Sequence, residues 1–256
     1  MPLLHALPFI AYLLSGLLLT RYFVLGSVTN QHRTIVNLML LIACSSHGYI
    51  LLELWQYDGV FFGLTASISF VAWVVSTLLF LTSFSKPIQS LGILIYPLSA
   101  IAVIIAFLFP GTQGKLLSIS IAAHVFLSIG AYAILAIAVG QSVLLSIQER
   151  YLHERNFNTF VDRLPALQTM ESFLYQSLKM GLLLLTLSLI SGYLYIDEFF
   201  SQNITYKTIL SIIAWFGFAI IIIGHNIFGW RGKLVAVSTQ IAFSVLVLSY
   251  FGTKFI

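Results

Sequence analysis

Two histidines stand out because nothing in their surroundings resembles a loop or a helix end. His47 lies about nine residues from the outer end of an apolar segment, and His124 lies about eight residues from the outer start of another. At roughly 1.5 Å of rise per residue, both would sit some 12–14 Å below one surface of a helical bundle. Two neutral imidazoles at one depth on different helices can ligate a single iron from opposite faces, with haem filling the apolar space between the helices. Their ring nitrogens would then stand about 4 Å apart, from two bonds of about 2 Å each. Ser120, Ser128 and Tyr132 recur around His124 at helical spacing, where they can orient the ring or hydrogen-bond a propionate. The plainer reading is that each histidine bonds a serine or a backbone carbonyl of a neighbouring helix, as buried polar groups in bundles do.

The elements that would carry these side chains follow from composition. Hydrophobic residues make up 59% of the 256, charged residues only 8%, and the mean hydropathy is +1.01. Those values exclude an ordinary soluble domain and place an all-α polytopic protein in the lipid bilayer. Asking for about 18 or more apolar residues per span, the chain predicts eight helices, at about 3–22, 34–56, 62–81, 91–109, 116–148, 172–196, 206–226 and 233–253. Together they form a single membrane bundle over residues 1–256 with no fixed-period repeat. Short Gly-, Pro- and Asn-containing connections separate them; only 149–171 has room for a helix extension and a short interfacial helix, with Pro165 inside it. Pro97 is expected to kink the fourth helix.

Loop charge sets the orientation. Arg21, Arg33, Lys86, Arg150, Arg155, Arg163, Lys179, Arg231 and Lys233 fall on one side, against Lys115, Lys207 and Lys254 on the other. Nine against three puts the first group in the cytoplasm and both termini outside, in the plasma (inner) membrane of a bacterium. The net charge of +4 has this source and calls for no nucleic-acid partner. Phe199 and Phe200, beside Asp197 and Glu198, predict that the outer connection up to Lys207 lies against the mouth of the bundle. His5, His32, His153 and His225 fall at helix ends or in loops.

Catalytic constellations are absent from the sequence. Cys44 is the one cysteine, so neither a disulfide within the chain nor a Cys-x-x-Cys redox pair can form. There is no Ser-His-Asp set, phosphate-binding Gly loop, Walker lysine or pair of intramembrane carboxylates, so the reading is of a non-enzyme whose chemistry, if any, belongs to a bound cofactor. A small-solute transporter is disfavoured because two matching halves with broken helices and charged pairs are missing.

Two stretches carry a family resemblance. One is His124-Val125-Phe126-Leu127-Ser128-Ile129-Gly130-Ala131-Tyr132, running on to Gln148-Glu149-Arg150; the other joins Lys207-Thr208, Ile213-Ala214-Trp215, Gly229-Trp230-Arg231-Gly232 and Tyr250-Phe251-Gly252. In this order they resemble the cytochrome c assembly (CcsA/ResC-type) membrane proteins, in particular the short YpjD/HemX-like branch, over about 115–256. The resemblance implies haem binding or haem handling, with haem b as cofactor, a cytochrome-assembly or other membrane protein as partner, and His124 as the first of two external haem ligands. Two departures stand beside it. The region where such proteins carry a tryptophan-rich haem-presenting segment, between Asp197 and Tyr206, has no tryptophan, and Tyr206 occupies the position expected of the partner histidine. Tyrosinate can ligate ferric iron, whereas tyrosine at a membrane interface is commonly a belt residue, so His47 and Tyr206 both stand as candidates for the second ligand. The competing reading is a haem-free scaffold or regulator that binds a partner protein.

Overall fold

The computed structural model describes residues 2–25, 30–58, 64–110, 119–154, 159–195 and 202–251. The expected seat of the 197–207 connection against the bundle mouth falls outside these residues except at its last positions. Among the described residues there is no strand, and eight helices are long and apolar enough to cross a membrane. The helices are α1 (Pro2–Leu25), α2 (Asn30–Asp58), α3 (Leu64–Thr82), α4 (Gly92–Leu108), α5 (Ile119–His153), the short α6 (Thr159–Asp162), α7 (Leu167–Tyr195), α8 (Gln202–Phe228) and α9 (Gly232–Phe251). A single 3₁₀ turn, Gln89–Leu91, leads into α4. Because Pro165 lacks a donor and disfavours helical backbone before it, α7 starts just beyond it, at Leu167, several residues ahead of the position that hydropathy alone suggests.

The chain divides into two compact units, residues 1–117 with 157–165, and 118–156 with 166–256. In the first, α1 packs on α2 and α4, and α3 packs on α2 and α4, so four helices close a ring; α6 rests on α1. The second repeats that neighbour order, α5 against α7 and α9, with α8 against α7 and α9. Lipid supplies no hydrophobic drive between helices, so close approach depends on small residues and on hydrogen bonds between helices. Both devices are present. In the first unit, Gly16 of α1 receives the ring of Pro97 of α4, where an added Cβ would stand 2.7 Å from Cγ of the proline. In the second unit, Gly181 of α7 seats Leu135 of α5, with 2.6 Å from a Cβ to the leucine Cγ. Leu79 and Tyr12 are wholly buried in the first unit, and Leu135, Leu178, Phe218 and Leu246 in the second. Apolar side chains such as Leu17, Leu98, Leu183 and Ile241 are more than half exposed, as lipid-facing positions must be.

Candidate functional site

His124 is half-buried on α5, one turn above Ser128. Its ring reaches α7, where Nδ1 lies 2.9 Å from the carbonyl oxygen of Ser188 and 3.1 Å from Oγ of Ser191. A carbonyl only accepts, so Nδ1 carries the proton and donates it, shared between the two oxygens. The neutral ring therefore keeps its lone pair on Nε2, and among the described residues no hydrogen bond uses that nitrogen. A hydrogen bond of this kind on one ring nitrogen fixes a histidine's tautomer and raises the basicity of the other nitrogen.

The hydroxyls around the ring form one consistent network. Ser191 donates to the Ser188 carbonyl (2.8 Å), and Ser128 donates to the His124 carbonyl (2.8 Å). With its proton committed, Ser128 accepts from Oγ of Ser188 at 2.6 Å. Tyr132 donates to the carbonyl of Leu246 on α9 at 2.9 Å, beside Ser249 at 3.1 Å, and Ser211 of α8 donates to the same Ser249 at 3.1 Å. Trp215 Nε1 on α8 donates to Thr186 on α7 at 2.8 Å. The hydroxyl pair of Ser128 and Ser188 thus joins α5 to α7, Tyr132 joins α5 to α9 through the Leu246 carbonyl, and these bonds hold His124 in register with Ser188 and Ser191.

Of the sequence candidates, the second unit brings His124 and Ser128 into one network, and ties Tyr132 to α9 two turns further along α5. Tyr206 sits at the start of α8 with 58% of its surface exposed. His47 belongs to the first unit. It is 1% exposed, its Nε2 lies 2.9 Å from Oγ of Ser69 on α3, and the ring meets Tyr12 of α1 edge-on with centroids 5.8 Å apart. Nδ1 of His47 is buried with no hydrogen-bond partner among the described residues. Around it the core is polar: the Tyr12 hydroxyl faces Sγ of Cys44 at 3.7 Å, Trp73 Nε1 donates to the Cys44 carbonyl at 2.8 Å, and Ser76 pairs with Ser99 at 2.7 Å.

Ser188 and Ser191, which hold Nδ1 of His124, are residues that sequence reading passes over. Their signal is a Ser-x-x-Ser step followed by Gly192 on an otherwise apolar helix, which places both hydroxyls on one face.

The second recognisable motif, Gly229-Trp230-Arg231-Gly232, is a turn clasped from three helices. Gly229 and Gly232 have φ of 68° and 59°, the left-handed region that closes one helix and opens the next. The carbonyl of Trp230 accepts from the Tyr175 hydroxyl at 2.6 Å and from Nδ1 of His225 at 3.0 Å, and the His225 ring stacks on Tyr175. Glu171 accepts from the backbone N–H of Gly232 at 2.8 Å, a carboxylate at a helix N-terminus.

Comparison with known proteins agrees with this architecture. The family described as Cytochrome C assembly protein matches residues 38–256. The "Inner membrane protein YpjD" of Escherichia coli K12 is 32% identical over 133 residues, covering 52% of this chain and 50% of that protein. The "Uncharacterized 28.8 kDa protein in nifR3-like 5'region" of Azospirillum brasilense is 28% identical over 149 residues, 57% of this chain and 55% of that one. The alignments thus span about half the length of these relatives. No solved structure matches.

Proposed function

We propose that this chain, which belongs to the cytochrome c assembly protein family, is an inner-membrane haem-binding or haem-handling protein in which Nε2 of His124 is an iron ligand. The observation that supports this reading is the fixed tautomer: the Ser188 carbonyl and Ser191 hydroxyl hold the proton on Nδ1, and the remaining lone pair has no partner among the described residues. Haem, when bound, supplies a redox-active iron within a flat apolar ring bearing two carboxylates. The protein's part is positional. α5 and α7 set the depth and plane of the imidazole, and Ser128 fastens the two helices directly beside it. Lacking tryptophan between Asp197 and Tyr206, the chain binds or stores haem rather than presenting it on an aromatic platform.

For His47 to supply the second ligand, its enclosed Nδ1 has to become accessible, which requires movement of the α1 or α3 packing around it. Tyr206 is exposed without any rearrangement. Purification of the full chain from haem-replete cells and measurement of its Soret band tests the reading. His124→Ala is expected to abolish or shift the band, and an unchanged spectrum removes His124 from the site. Loss of a low-spin spectrum in His47→Ala, or in Tyr206→Phe, identifies the second ligand. The scaffold alternative draws on one observation: Ser128, Ser188 and Ser191 bond one another and Tyr132 bonds the Leu246 carbonyl and Ser249, all without a ligand. A protein that carries no haem from any preparation, with His124→Ala altering stability alone, establishes that alternative.

A further inference from the structure

Within the first unit, a cavity of ≈ 180 Å³ opens between the end of α1, the start of α2 and the 3₁₀ turn before α4. Its lining combines the polar Arg21, Arg33, Asn37 and Gln89 with the apolar Val36 and Leu40. Among the described residues neither guanidinium has a hydrogen bond or an ion pair, the one ion pair being Arg150 with Glu154 elsewhere. The sequence offers no internal counter-ion close by, because no Asp or Glu precedes Glu53 and none lies between Ser83 and Gln89. Asp162, on the α6 turn that packs against α1, is exposed and does not line the cavity. Val24, Leu25, Ile35 and Leu38 beside it are exposed and apolar. The combination is two cations near helix ends without a partner among the described residues, neutral hydrogen-bonding groups in the same lining, and exposed aliphatic side chains on the flanking turns of α1 and α2.

We propose that this cavity binds the phosphodiester headgroup of an anionic phospholipid, with Arg21 and Arg33 on the phosphate, Asn37 and Gln89 on the glycerol or headgroup hydroxyls, and the acyl chains along the exposed apolar flank. A planar guanidinium presents paired donors that match phosphate oxygens, and basic pockets between membrane helices near one surface suit such headgroups. The anion supplies the counter-charge that no described residue gives these two arginines. This site is independent of haem and of His124.

The test uses the full-length protein in nanodiscs of phosphatidylglycerol and phosphatidylcholine in equal parts, with retained lipid read by native mass spectrometry. Wild type is expected to keep phosphatidylglycerol preferentially. At about fivefold per surface arginine, Arg21→Gln with Arg33→Gln should weaken that preference by roughly thirtyfold. Arg150→Gln, which removes an exposed arginine already paired with Glu154, should leave the preference unchanged. Equal retention in the double variant and wild type overturns the proposal, as does an equal loss in Arg150→Gln. Inorganic phosphate that displaces the lipid's signal, with no preference between the two lipids, overturns the lipid as the source of the anion. If the double variant fails to fold, a photo-crosslinking phosphatidylglycerol on wild type decides the matter: labelled peptides must include 18–40 or 83–96, and labelling confined to other helices refutes the site.

Discussion

Gly181→Ala is the substitution whose cost is most directly set by geometry. An alanine Cβ at this position would lie 2.6 Å from both Cγ and Cδ2 of Leu135, whereas carbons in contact prefer about 3.5–4.0 Å. About 1 Å must therefore be found, and Leu135, which is wholly buried, has no open surface to turn out to. Either α5 and α7 separate or the leucine leaves its rotamer, and such overpacking typically costs about 1–3 kcal/mol. The same helices carry His124 and its partners, so separation also lengthens the bonds from Nδ1 to Ser188 and Ser191. Reversible unfolding by sodium dodecyl sulfate in mixed micelles, followed by tryptophan fluorescence, measures the loss. Leu135→Ala alone should also destabilise, by about 2–5 kcal/mol, through the cavity it leaves. In the double variant the new methyl enters that cavity, so the combined loss should fall short of the sum by at least about 1 kcal/mol. A Gly181→Ala protein within about 0.5 kcal/mol of wild type, or strict additivity in the pair, would refute the close-packed seam between α5 and α7.

Three further outcomes can be checked with the same material. Ser191→Ala should cost only about 0.6 kcal/mol in unfolding, the average for a hydrogen bond between membrane helices, because the Ser188 carbonyl still receives the Nδ1 proton. Gly232→Ala should destabilise more than Gly229→Ala: both lose about 1–2 kcal/mol to left-handed backbone, but only at 232 does the new Cβ run into Glu149, there being nothing within 4 Å at 229. From the nine-to-three Lys/Arg asymmetry, alkaline phosphatase fused after Ile256 should be active, and activity of a cytoplasmic reporter at that site instead would reverse the proposed topology.

The eight spans were legible because a 20-residue apolar run has few alternatives in lipid; the apolar run of α5 stops at 148, where the charges begin, and the helix continues past it to His153 as the extension read into 149–171. What hydropathy cannot show is which apolar helices become neighbours. The closed rings α1–α2–α3–α4 and α5–α7–α8–α9 depend on individual fits such as Gly16 with Pro97 and Gly181 with Leu135, and these carry no periodic signal. The histidines illustrate the same limit. Sequence position gives His47 and His124 equal standing, since depth along a helix says nothing about the rotational face of the partner helix. Their surroundings separate them: His47 is enclosed against Ser69 and Tyr12, while His124 is half-buried with one nitrogen anchored and the other available. Ser188 and Ser191 escaped notice because serines are common in membrane helices, and only the contact with α5 distinguishes these two from Ser172 or Ser244 on outward faces.

The two stretches that identify the family do different physical work. In Gly229-Trp230-Arg231-Gly232 every residue type except the arginine has a packing or backbone reason. The two glycines occupy left-handed φ, the Trp230 ring lies against the bare backbone of Gly224, and its carbonyl takes two donors from Tyr175 and His225. Glu149 and Glu171 close the start of α9 from below, so Glu149 of the Gln148-Glu149-Arg150 motif belongs to this same clasp. Their combined effect is to fix α7, α8 and α9 to one another at the end of the unit where α9 begins; Nδ1 of His225 donates to a carbonyl as that of His124 does, but its ring lies at the end of α8, stacked on Tyr175. The His124 stretch differs in placing its imidazole inside a span rather than in the last turn of a helix. Its hydroxyls and carbonyls are equally committed to neighbouring helices, yet Nε2 is left over, and a bundle that only needed packing would gain more from leucine at that position than from an imidazole bonded on one side. It is this surplus nitrogen within the span, held in place by the serines of α7, that supports the proposed haem site.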